Sequence, residues 1–190
     1  MCVSLKISLV AGLIGEICAL ALRKDERVVA SFIAVYSLMQ FYEAYSYYKG
    51  RTPRFPIQTL LALQGVSYFV PAYLHDKSPL SLSCLVISIC ILLCVSLMKE
   101  PYATNCENGC RWEIGLGTRI SMIVMYSLII LYGLTKPHLR PFSIFCILSI
   151  LIVQMRFLRG LQLSWWCFVA AILAPLYVAY RRMHPGMNAS

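Results

Sequence analysis

The chain has 190 residues, 59% of them hydrophobic and 13% charged, and its mean hydropathy of +0.71 excludes the balance of a soluble globular domain. Its net charge of +9 comes without a basic patch interleaved with exposed aromatics, so anionic lipid headgroups are expected partners and nucleic acid is not. One domain, 1–190, takes up the whole length, because apolar runs joined by short polar connectors leave no room for a second folded unit.

In chain order, the apolar runs fall at approximately 4–22, 28–48, 56–74, 79–98, 118–134, 141–158 and 161–180. Each is near the ~20 residues that cross a ~30 Å hydrocarbon layer as a helix. The pattern predicts an all-α, polytopic membrane protein, a compact bundle of about seven transmembrane helices. A membrane barrel is excluded, because alternating ten-residue strands are absent and long apolar runs satisfy their backbone hydrogen bonds only as helices. The connectors carry charge and turn residues, as in Arg23-Lys24-Asp25-Glu26-Arg27, His75-Asp76-Lys77-Ser78 and Lys136-Pro137-His138-Leu139-Arg140. Between the last two runs only a few residues around Arg159-Gly160 remain. A tight helical hairpin is expected there, with a six-span chain holding one long tilted helix as the alternative. The first run reads as a span rather than a cleaved signal, because Glu16 interrupts it and Lys6 alone supplies a basic start.

Sidedness does not follow from charge, since the 17 Lys and Arg divide nine to eight between the two ends of such a bundle. The organelle is equally open. Cys2, Cys106 and Cys110 share the end that holds the N-terminus, and one disulfide among them is expected if that end is luminal or extracellular. Otherwise they are free cytosolic thiols.

The second run carries the most informative pattern. Tyr36, Gln40, Glu43 and Tyr47 recur at spacings of four, three and four, which places them in one stripe along a helix. An ionisable group within a span costs ~2.5–3.5 kcal/mol on insertion scales, so such residues face the bundle interior or a wet cavity. Glu43 lies ~7–8 Å inside the 49–54 connector. At similar depth stand Gln64 on the next helix, Arg119 at the start of the fifth run and Arg156 at the end of the sixth. Two readings follow: Glu43 pairs with Arg119 or Arg156 and fixes helix register, or Glu43, Gln40 and Gln64 line a polar cavity. Glu16 is a second carboxylate, in the opposite half of the bilayer and with no obvious basic partner. An interhelical hydrogen bond or a proton-carrying step would suit it.

Taken together, Met1-Cys2, Ser8, Gly12-Leu13-Ile14, Tyr36-Ser37-Leu38-Met39-Gln40-Phe41 followed by Glu43, and Asn108-Gly109 before Trp112 resemble an uncharacterised family of small multi-span membrane proteins associated with giant DNA viruses and assorted microbes. That family usually has Trp after Met-Cys, where this chain has Val3. The resemblance implies that Met1-Cys2 is the true start, and it implies no activity.

Two functions are therefore expected in turn. The first is a channel or transporter for protons, ions or a small polar solute, built on Glu43, Gln40, Gln64, Tyr36 and Tyr47, with Glu16 an additional candidate. The second is a heptahelical ligand-sensing or partner-binding protein without transport. An enzyme is less favoured because no nucleophile–base arrangement occurs, and no cofactor is implied. His75, His138 and His184 share one end but lack acidic neighbours in this reading, which argues against a metal site. A homo-oligomer remains open.

Overall fold

In the computed structural model the backbone is described for residues 5–49, 54–98, 116–157 and 164–184, with side chains at the same residues except 54–57, 149, 152–157 and 164–171. The described residues form seven helices and no strand: α1 (Leu5–Leu22), α2 (Arg27–Lys49), α3 (Arg54–Asp76), α4 (Pro79–Leu97), α5 (Leu116–Thr135), α6 (Arg140–Phe157) and α7 (Ser164–Met183). These follow the seven apolar runs closely. Cys2, Cys106 and Cys110 lie outside the described residues, as does the side chain of Arg156.

Three helices, α1, α4 and α5, are long and apolar enough to cross a membrane by composition alone. The sequence expectation of seven such helices is thus met in helix number but not in uniform apolarity. The physical reason is visible in α2 and α3, where Gln40, Glu43, Gln58, Gln64 and several tyrosines lower the mean hydropathy of the helix.

Local sequence explains the sharp turns. Lys77 adopts a left-handed φ of 47° and its N–H bonds back to the Tyr73 carbonyl at 2.9 Å, which ends α3. Ser78 then caps α4, accepting from the Ser81 N–H at 3.1 Å, with Pro79 at a first-turn position where its missing N–H costs nothing. Between α5 and α6 the turn closes through Arg140 N–H to the Lys136 carbonyl at 2.9 Å.

The helices meet in a closed ring, each packing on its chain neighbour, α4 and α5 included although 99–115 separates them in sequence; α7 returns to α1, and α3 also packs on α5. Small residues set the close approaches. A Cβ at Gly15 would overlap Ser37 Oγ, and one at Gly133 would overlap Ser143 Oγ, so α1–α2 and α5–α6 depend on glycine at those points. Seen from outside, the ring is apolar: Ile17, Leu20, Leu93, Leu97, Ile123 and Leu131 are exposed. Inside, by contrast, Ser8, Ser37, Gln40, Glu43, Gln58, Gln64 and Arg181 are buried. So broad an exposed apolar surface is disfavoured in water and favoured in hydrocarbon.

Candidate functional site

The stripe on α2 faces inward. Tyr36, Gln40 and Glu43 are buried and Tyr47 is half-buried against the small cluster around Met39 and Leu61. Gln64 on α3 is buried and reaches α2 at Met39, the residue before Gln40. Its Nε2 lies 3.1 Å from Met39 Sδ, and its Oε1 accepts from the Tyr126 hydroxyl at 2.5 Å. Toward the same end, Gln58 Nε2 donates to Thr118 Oγ1 at 3.3 Å. These contacts tie α2, α3 and α5 together.

Gln40 is different. It is 2% exposed, and its Nε2 has no hydrogen-bond partner among the described residues. It forms part of the wall of a cavity of about 60 Å³ between α1, α2, α5, α6 and α7. The rest of that wall is chiefly aromatic and aliphatic, with Phe32, Tyr36, Phe142, Phe145 and Ala174 prominent. Tyr177 lines it as well, and its buried hydroxyl also has no partner among the described residues. The arrangement is an apolar chamber with an amide donor in one part of the wall and a phenol in another.

Glu16 and Arg119 are the remaining expected residues whose side chains are described. Glu16 is half-buried on α1 and makes no hydrogen bond or ion pair among the described residues. Arg119 opens α5 with an exposed side chain, whereas Glu43 is buried.

A second polar centre, unforeseen from the sequence, occupies the opposite end, where the 23–26, 77–78 and 136–139 turns meet the C-terminal turn of α7. Glu26 and Arg181, both buried, form an ion pair there. Burial raises the Glu26 carboxyl above its ordinary value, and the Arg181 guanidinium offsets part of that rise. Beside it, Asp76 accepts from Ser81 Oγ at 2.6 Å, Ser78 N–H at 3.0 Å and the Tyr132 hydroxyl at 2.8 Å, and Lys136 Nζ lies 2.7 Å away. Burial pushes the Asp76 carboxyl up, but the bonds from Lys136, Ser78, Ser81 and Tyr132 outweigh it and hold the group well below the usual carboxylate range.

His75 and His138 approach with ring centroids 5.6 Å apart. They line a vestibule of about 490 Å³ together with Asp25 and Glu26. The expectation that these histidines lack acidic neighbours is therefore corrected, because the α1–α2 turn folds over the α3 and α5 ends. Burial lowers His138 below the ordinary imidazole value, and the nearby His75, Arg181 and Lys136 add to the effect. Even so, among the described residues no three or more His, Cys, Asp or Glu side chains are placed so that they could hold a metal ion.

Two sequence signals pointed to this end. Ala174, Tyr177 and Arg181 follow the spacing of an interior stripe, and Glu26 stands at the head of the α2 stripe through Val29, Ile33 and Tyr36. The charged 23–27 connector masks both. Compared with known proteins, the chain matches no protein-family model, no curated protein and no solved structure.

Proposed function

We propose that all seven helices cross the bilayer and that the bundle is a heptahelical membrane protein that binds a small lipophilic molecule beside Gln40. Helices of 18 to 23 residues are ~27–35 Å long, matching the hydrocarbon layer. The apolar exterior, with Gln40, Glu43, Gln58 and Gln64 buried inside, supports the same reading. The kinship suggested by the Met1-Cys2 start and the α2 segment fits this architecture and adds no activity.

One observation carries the ligand: the buried Gln40 Nε2, without a partner among the described residues, in the wall of an otherwise apolar chamber. A buried amide donor left unmade costs ~1–3 kcal/mol, and an occupant bearing a carbonyl acceptor would recover it. A four-carbon ketone carrying a diazirine, small enough for a chamber of about 60 Å³ and able to insert into C–H bonds under light, is a suitable probe. Adducts concentrated on Phe145, Leu173 and Ala174, and lost in Gln40→Leu, are expected. Labelling spread evenly over the exposed leucines of α1 and α4 would sink the proposal.

Transport of a proton, ion or small polar solute is the second reading, favoured by the burial of Glu43, Gln40 and Gln64 within the bundle and by the vestibule at the turn-bearing end. It ranks lower because the Gln64 amide is already engaged by Tyr126 and Met39 and the chamber between the ends is apolar. Liposome flux with a trapped pH-sensitive dye tests it: no flux, and no change on Glu43→Gln, removes it.

A further inference from the structure

The vestibule at the turn-bearing end is lined by the polar Lys24, Asp25, Glu26, Arg27, His75 and His138 and by the apolar Val28, Pro71 and Leu74. Its two kinds of wall meet at helix ends, where a bilayer changes from hydrocarbon to headgroup. The carboxylates nearby are largely committed: Glu26 to Arg181, and Asp76 to Lys136 with three hydroxyl or amide donors. Among the described residues at this end, Arg23, Lys24, Arg27, Lys77, Arg140 and Arg182 are left outside any ion pair, against Asp25 alone among the acids. α2 also begins at Arg27, within the vestibule wall, so the positive end of its dipole adds to the attraction for an anion.

We infer that this vestibule is a binding site for the phosphate headgroup of an anionic phospholipid, with Lys24 and Arg27 on the phosphate and the Val28–Pro71–Leu74 wall against the glycerol and upper acyl carbons. The chemistry is that of a basic pocket between membrane helices. It goes beyond the Gln40 chamber, which lies deeper in the bundle and takes an uncharged lipophile.

The full chain in a neutral detergent would be titrated with phosphatidylglycerol carrying a fluorescent acyl tail. Unlabelled phosphatidylglycerol should displace the probe and phosphatidylcholine should not. Each cation near such a site contributes a factor of about five, so Lys24→Gln with Arg27→Gln should weaken binding about 25-fold. Lys77→Gln with Arg182→Gln removes the same charge from the same end, outside the vestibule, and should change affinity less than threefold by comparison. Lys24→Arg with Arg27→Lys should retain binding, which separates loss of charge from loss of fold. Equal weakening in both neutralised pairs would overturn the site in favour of diffuse surface charge. Equal displacement by phosphatidylcholine would overturn the headgroup selectivity, and displacement by inorganic phosphate as effective as by phosphatidylglycerol would overturn the lipid source.

Discussion

At the end that carries the 23–26, 77–78 and 136–139 turns, Glu26 has Arg181, and Asp76 has Lys136, Ser78, Ser81 and Tyr132. Deeper in the bundle, the Gln64 amide is engaged by Tyr126 and Met39, while the Gln40 nitrogen one helix away has no partner among the described residues and Gln40 lines a chiefly apolar chamber. Buried polar groups that hold a fold together come with their partners built in. A buried donor without one, beside a cavity, is where an outside molecule can supply what the chain does not.

The sharpest way to break this contrast is at the ion pair. Arg181→Leu should cost ~3–5 kcal/mol by leaving Glu26 buried and unpaired, and Glu26→Leu with Arg181→Leu should recover most of it. Denaturant unfolding of the detergent-solubilised chain measures both. A harmless Arg181→Leu would mean that this end is not held by the pair.

Next in size is Asp76→Asn, expected to cost about 1.5–3 kcal/mol at neutral pH because charge-assisted bonds are lost. The Asp76 carboxyl is held below its unfolded value, so its contribution is present above pH ~4 and is lost as pH falls through the depressed range. Melting curves of the wild type should therefore drop in acid more steeply than those of Asp76→Asn.

Gly15→Ala should destabilise by about 1–3 kcal/mol, because its Cβ would overlap Ser37 Oγ, and Ser37→Ala should restore part of the loss. The smallest effect belongs to Lys77→Gly, where relief of the left-handed backbone should raise stability by ~0.5–1 kcal/mol in the same unfolding assay.

Much of the helical layout was legible in the sequence, since a run of ~20 apolar residues can satisfy its backbone only as a helix. The inward face of α2 was legible too, from the recurrence of Tyr36, Gln40, Glu43 and Tyr47. The division of labour between Gln40 and Gln64 was not, because it depends on where Tyr126 of α5 reaches, and spacing along one helix says nothing of that. Glu26–Arg181 escaped for a related reason: the residues are far apart in sequence, and each stands among charges that look solvated. The Asp76 cluster was partly written in Asp76-Lys77-Ser78-Pro79, a cap signal, but Lys136 and Tyr132 come from another hairpin.

The central claim is that Gln40 awaits a ligand and Gln64 holds the fold. Unfolding free energies of Gln40→Leu and Gln64→Leu, measured side by side in ligand-free detergent, test it most directly. The account predicts that Gln64→Leu loses ~1–3 kcal/mol, because the Tyr126 hydroxyl is left without its acceptor, and that Gln40→Leu is neutral or stabilising. A Gln40→Leu loss equal to that of Gln64→Leu would contradict it.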